Sequence, residues 1–404
     1  GVEPWRYREQ AALGDLGFRF KEKGSASASV IAIANGLADY PVADVLRGPY
    51  LYADYDAGFI GSYLAQLRPD NMLLTVTDHS LQTDRESRWF NAPYATRRLD
   101  AAALADAAAK AASLALPAPN EFLPDRVATK PLAAGAGARP VALADEPGYR
   151  LWHLQDAEFP GPKASLYVQL LSARATATAR DAALGSLFAM LVQDDLNEFA
   201  YPATLAGLQY GISPSSRGLS LKLGGYEQRM DVLLDKILRS LQRSSFPAER
   251  FGSLKTELLR ELGNSDRERP YTQLIDRLGN TMVRRSYTDA ELRAALTGAT
   301  EQDLADFATG LRSGASVEVL AHGNLLADEA LALGLKVRDA LRGEPGAAVP
   351  AIEVLALPGG ESVRSVAIEH PDSALLMYLQ GSAPSVAERA RVALAGQVLG
   401  PSFF

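Results

Sequence analysis

Asp194-Asp195-Leu196-Asn197-Glu198-Phe199-Ala200-Tyr201, followed by Leu205-Ala206-Gly207-Leu208-Gln209-Tyr210, is the stretch whose reading decides the fold. It reads as the end of a long amphipathic helix that runs into a turn and then a strand. Upstream, residues 178–201 carry Leu184, Leu187, Phe188 and Leu191 on one helical face. Downstream, 208–212 and 219–223 read as a strand pair, joined by a Pro/Ser/Gly loop at 214–218. Asp194, Asp195 and Glu198 are the chemically suggestive residues here, as a metal cluster or an acid–base pair. Carboxylates three or four apart are also ordinary on a solvated helix face, and no histidine lies nearby in sequence. The solvated face is the reading adopted.

Outward from this stretch, 147–345 reads as one complete α+β domain. Strands are expected at 149–154, 164–171 and 316–321. The 227–241 segment is strongly amphipathic, with Met230, Leu233, Leu234, Ile237, Leu238 and Leu241 sharing a face. Helical patterns continue over 247–262, 271–284, 289–296, 301–311 and 326–341. Residues 126–146 contain Lys130-Pro131, a Gly/Ala run and Arg139-Pro140, which is linker composition. Residues 1–125 read as mostly helical, starting at Pro4, with one strand at 72–77 and an Ala-rich helix at 100–115. A second linker follows at 343–350. Beyond it, a strand at 373–380 and a helix at 385–399 repeat the strand-then-helix order of 164–201, so a second copy of the domain type is expected to start near 351.

Composition narrows the class. The 404 residues are 47% hydrophobic and 22% charged, which suits a globular chain of two to three domains. The net charge of -7 argues against a nucleic-acid partner, because phosphate binding needs clustered Lys and Arg. No apolar run approaches the roughly 18–20 residues that span a bilayer. With no cysteine, disulfides, thiolate metal sites and Cys nucleophiles are excluded. No secretory leader is visible at Gly1-Val2-Glu3-Pro4. The chain is expected to begin inside a domain, with its true N-terminus out of view. Both periplasmic and cytoplasmic locations stay open.

Several further segments carry a resemblance in chain order. They are Gly17-Phe18-Arg19-Phe20-Lys21, Tyr40-Pro41 with Val45-Leu46, and Leu67-Arg68-Pro69-Asp70-Asn71. Asn120-Glu121-Phe122-Leu123-Pro124 follows, then the opening stretch, then His322-Gly323-Asn324. Together they resemble the insulysin/pitrilysin branch of the M16 zinc metallopeptidases. The resemblance implies an α+β fold of repeated M16-type (LuxS/MPP-like) domains, each an antiparallel sheet packed against helices. Family members enclose a chamber between two halves, built from four related domains. By this resemblance, 1–125 corresponds to the C-terminal part of domain 2, 126–146 to a linker, 147–345 to an inactive-type domain 3, and 351–404 to the truncated start of domain 4.

The family's zinc sits in its first domain, on an inverted His-x-x-Glu-His motif whose Glu activates a metal-bound water. Two histidines one helical turn apart grip the metal and leave a position open for water. This chain has four histidines, His79, His153, His322 and His370, and neither His-x-x-Glu-His nor His-Glu-x-x-His occurs. No residue is assigned a catalytic or metal-ligating role. Zinc is expected in a first domain that the chain does not contain. A nucleophile-elbow Gly-x-Ser-x-Gly and a Walker A loop are also absent. His322-Gly323-Asn324 is read as a structural turn. Phe403, in Pro401-Ser402-Phe403-Phe404, resembles an aromatic of the family's substrate pocket, and a plain core or chain-end role stays open beside it.

The resemblance implies a non-catalytic portion of a zinc metalloendopeptidase, forming chamber wall and substrate contacts. Its implied partners are peptide substrates and the N-terminal catalytic half of the same protein. The alternative is a catalytically inactive homologue acting as scaffold or partner subunit. A specialised processing enzyme of the family, such as one linked to pyrroloquinoline quinone biosynthesis, is a third.

Overall fold

The structure is a computed structural model. It describes residues 3–400 apart from 112, 134–136, 160, 344–348, 350, 369 and 382–384. The chain forms two compact units, Gly1–Leu123 and Pro124–Phe404. Phe403 lies outside the described residues.

The first unit holds α1 (Pro4–Arg19), α2 (Ala26–Asp39), α3 (Ala57–Leu64), a short hairpin of β1 (Arg85–Glu86) and β2 (Pro93–Tyr94), and α4 (Ala101–Ala111). Pro4 opens α1, where its missing N–H costs nothing. Gly14 lets α1 approach residues 50–52 closely: a Cβ there would stand 2.7 Å from the Tyr50 carbonyl oxygen. Leu16 and Phe122 are its buried apolar residues. The backbone N–H of Phe122 is held by the Asn120 carboxamide at 3.0 Å. Residues 72–77, expected as a buried strand, form no regular element, and Leu73 is 86% exposed. An apolar run becomes a strand only where a neighbour takes its backbone hydrogen bonds, and none does so among the described residues.

The second unit begins with β3 (Val141–Glu146), β4 (Tyr149–Gln155) and β5 (Lys163–Leu171), followed by α5 (Ala179–Leu205), β6 (Gln209–Ser215) and β7 (Gly218–Tyr226). Helices α6 (Met230–Leu241), α7 (Ala248–Asn264), α8 (Pro270–Met282), α9 (Asp289–Thr297) and α10 (Glu301–Ser313) come next, then β8 (Ser316–Gly323), α11 (Ala327–Leu341) and α12 (Val386–Leu399). The strand order is β3-β4-β8-β5-β7-β6. Every pairing is antiparallel except β4 with β8, which is parallel. Two expectations need correction. Val141–Glu146, placed in the linker by its Pro- and Gly-rich surroundings, is the edge strand β3, paired Glu146↔Tyr149 through Val141↔His153. Residues 373–380 form no strand, and Leu375 is 91% exposed, for the same lack of a pairing neighbour.

Period-two alternation places Leu166, Val168 and Leu170 of β5, and Leu219, Leu221 and Leu223 of β7, on one buried face. Leu166 pairs with Leu223 on one side and Ala321 on the other. α5 contacts β6, α6 contacts β7, and α11 contacts β4 and β8, while α7, α9 and α10 pack on α5. α5 is sealed at its start by Thr178, whose hydroxyl accepts the Asp181 N–H. Along its length Leu184, Leu187, Phe188, Leu191, Val192 and Leu196 are buried. These six side chains contribute on the order of 10 kcal/mol of transfer free energy.

The end of α5 explains the Leu205-Ala206-Gly207-Leu208 signature. The Leu208 N–H bonds the Ala203 carbonyl at 2.9 Å, and the Gly207 N–H bonds Thr204 at 3.1 Å, which is a Schellman closure. Gly207 sits at φ +84, and a Cβ there would meet the Tyr226 ring at 2.9 Å. Gly207→Ala is expected to destabilise by about 1–3 kcal/mol, from the left-handed backbone and this contact. A thermal melt unchanged from the parent chain would contradict it.

Tyr149 opens β4 with its hydroxyl buried and unpartnered among the described residues. Gly334 of α11 makes room for it, since a Cβ would lie 2.6 Å from that hydroxyl. Burial pushes the Tyr149 phenol up to about 12 from its usual 10.0. Between those values the unfolded chain has released the proton and the folded chain still holds it. This contribution is therefore complete below pH 10 and is lost as pH rises towards 12. Tyr149→Phe is expected to fold at least as stably at pH 7, since it removes an unpaired buried hydroxyl. It should also lose less stability between pH 10 and 12, by about 2 kcal/mol. Parallel denaturant titrations at both pH values check this; an unchanged alkaline loss would contradict it.

Candidate functional site

The acidic cluster of α5 is the first candidate, and its members point to different partners. Asp194 accepts two bonds from the Arg250 guanidinium of α7, one from Nε at 2.8 Å and one from Nη2. Asp195 accepts from Ser240 Oγ of α6 at 2.7 Å and from Arg243 Nη1 at 2.7 Å. Beside them, Lys236 Nζ stands 5.4 Å from the Phe199 ring. Glu198 is exposed. The pair is thus more than a solvated face: it clamps α5 to α6 and α7, in the bidentate geometry that suits Arg and carboxylate. Both carboxylates have committed their oxygens, which leaves them poor metal ligands.

The histidines are dispersed, and His153 and His370 hold structural hydrogen bonds. His153 is buried on β4, and its Nε2 lies 2.8 Å from the Leu325 carbonyl oxygen. A carbonyl only accepts, so that nitrogen carries the proton and offers no lone pair. His322 on β8 pairs with Leu154, whereas His153 pairs with Ala321, so the two rings project from opposite faces of the sheet. His322 stands 4.0 Å from the Asp156 carboxylate. His370 Nδ1 accepts the Asp372 N–H at 3.0 Å. Among the described residues no three His, Asp or Glu side chains gather in a way that could hold a metal ion. The donor set described here does not fit a catalytic zinc.

The His322-Gly323-Asn324 turn has a different task. Gly323 sits at φ +105, and a Cβ would press to 2.7 Å from the Lys163 carbonyl oxygen. That backbone carries the buried Asn324, whose Oδ1 accepts the Lys130 N–H at 2.8 Å and whose Nδ2 donates to Ala128 O at 2.9 Å. Gln155 does the same for Ala133 N and Pro131 O, at 2.9 and 2.8 Å. Lys130 Nζ reaches both Glu329 oxygens at 2.8 and 2.7 Å, with Glu227 at 3.4 Å. Residues 128–133, read in sequence as free linker, are therefore strapped to the sheet end by buried carboxamides. Sequence reasoning missed this clasp; the one local signal was Asn immediately after a strand-ending Gly.

The other face of the sheet is partly exposed. Trp152, Tyr167 and Lys222 are exposed there, with Lys222 Nζ 5.5 Å from the Tyr167 ring. Such a surface offers aromatic contact area and the cations Lys222 and Arg150, with His322 set opposite Ser165 at its end.

The description "Middle or third domain of peptidase_M16" matches residues 18–295. Human insulin-degrading enzyme is 31% identical over 348 residues, covering 84% of this chain and 34% of that protein. A "Nardilysin-like" protein of Arabidopsis thaliana is 28% identical over 353 residues, covering 85% and 34% respectively. The chain thus spans about a third of the length of these curated relatives. The crystal structure of pitrilysin matches with a TM-score of 0.67 at 22% identity, over 84% of this chain and 36% of that one. No helix among the described residues is long and apolar enough to cross a membrane. With the match covering more than half of its residues, the chain belongs to the M16 peptidase family, and it corresponds to the middle region of insulysin- and pitrilysin-like members.

Proposed function

We propose that this chain is a non-catalytic portion of a zinc-dependent M16 metalloendopeptidase, supplying chamber wall and substrate contacts. The observation that carries this reading is the pairing of a well-packed middle-domain fold with Asp194, Asp195 and His153 already committed to structural bonds. Uncovered apolar surface supports it. No residue of α2 or α12 is buried, and Ile31, Leu37, Leu394 and Val398 stand open to solvent. Apolar area of this kind marks a contact surface.

In this reading 1–125 is the C-terminal part of domain 2, and 147–345, extended by β3, is domain 3. The segment from 351 begins domain 4. Zinc and its activating Glu belong to a preceding first domain. The partners are the N-terminal catalytic half and the peptides enclosed with it. Phe403 as a substrate-pocket aromatic rests on resemblance alone.

Three tests bear on the proposal. The reading frame upstream of Gly1 is expected to encode His-x-x-Glu-His; its loss would replace the peptidase reading with a scaffold. Adding the 404-residue chain to a separately expressed catalytic half is expected to raise kcat/KM on a fluorogenic peptide by roughly tenfold or more, as completed positioning does. No gain on mixing would count against the wall role. Asp195→Asn in this chain is expected to lower thermal stability by about 1–2 kcal/mol while the mixture keeps its activity, because the carboxylate clamps helices.

A further inference from the structure

We propose that the sheet end formed by β5, the β6–β7 turn and the start of α5 binds the C-terminal residue of a peptide, taking its apolar side chain and its free carboxylate. Two adjoining hollows carry the inference. The first is a cavity of about 220 Å³ whose walls include Ala182 and Gly185 of α5, Leu219 of β7, Leu292 of α9 and Phe307 of α10. It exists because small residues face large ones: a Cβ on Gly185 would already touch the Phe307 ring at 3.4 Å. The volume falls below the roughly 300–1,000 Å³ of sites for drug-sized ligands and suits one aliphatic or aromatic side chain.

Thr176 and Ser216 line both this cavity and a second, smaller cleft. The Thr176 hydroxyl donates to the Ser216 carbonyl at 2.8 Å, so the two hollows share that hydrogen-bonded wall. The cleft is lined by Arg217, Arg284 and Arg285, and no described lining residue is acidic. Arg217 Nε is buried with no hydrogen-bond partner among the described residues. Such an orphan donor on a permanent cation is costly and is relieved by an anionic acceptor. Arg285 sits in left-handed backbone at φ 62 and forms no ion pair with a described residue, whereas Arg284 is already paired with Glu353 at 3.1 Å.

Size and charge select the ligand. The cleft offers about 20 Å³, enough for about one water-sized group such as a carboxylate oxygen and too little for a whole phosphate. A free amino acid would bring its ammonium beside two guanidiniums with no carboxylate among the lining residues to receive it. The last residue of a peptide has lost that ammonium to an amide. An apolar side chain in the cavity with its carboxylate on Arg217 and Arg285 satisfies both hollows at once. This binding is a property of the chain alone and does not depend on the peptidase reading.

The test uses the 404-residue chain and fluorescein-labelled Gly-Gly-Leu as free acid and as C-terminal amide, followed by fluorescence anisotropy. The acid is expected to bind roughly tenfold or more tightly than the amide, the difference a charge-assisted contact makes. Arg217→Gln should erase the difference between acid and amide. Ala182→Leu, which fills the cavity from a half-buried helix position, should weaken the acid by a similar factor. Thermal melts confirm that both variants fold, and the acid–amide pair decides the matter if Arg217→Gln does not. Equal binding of acid and amide, binding unaffected by either folded variant, or no binding at about 1 mM would each overturn the proposal.

Discussion

The burial of α5 against the six-stranded sheet is the constraint on which the second unit depends. Its long apolar stripe is buried, it packs on β6, and α6, α7, α9 and α10 pack against it. Both ends are fixed by local chemistry: the Thr178 cap at the start and the Gly207 Schellman closure at the finish. Two carboxylates near its end then set the position of α6 and α7 through Arg243, Ser240 and Arg250. One helix thus joins the sheet at β6 to four neighbouring helices. The polar residues that look most like chemistry are part of that ordering.

This explains which features could be read in the sequence. α5, the amphipathic α6 and the central strands were legible because each carries its signal locally, in period 3.6 or period 2, with caps beside it. The Gly207 turn was legible for the same reason. The clamp was not: Asp195 finds Ser240 and Arg243 some 45 and 48 residues away, and Asp194 finds Arg250 56 residues away. Edge strand β3 was hidden by its linker-like neighbours, because an edge needs only one partner and little apolar content. The apolar runs at 72–77 and 373–380 misled in the opposite sense. Hydrophobicity marks a run as able to pair and says nothing about whether a neighbouring strand is present.

The fold match extends over most of the molecule, in which His153 and His370 hold structural hydrogen bonds. His153 steadies the turn after β8, and Asn324, beside His322, straps residues 128–130 to the sheet. Polar groups buried at such junctions hold a chain segment in one place, since any other placement leaves them unsatisfied.

The most direct test of the proposed non-catalytic role is the metal content of the purified 404-residue chain after equilibration with zinc and removal of loosely held ions, read by native mass spectrometry. A chain that supplies structure and contacts is predicted to retain no stoichiometric zinc. One tightly held zinc per chain, surviving dialysis, would contradict the central claim and place a metal centre within these residues.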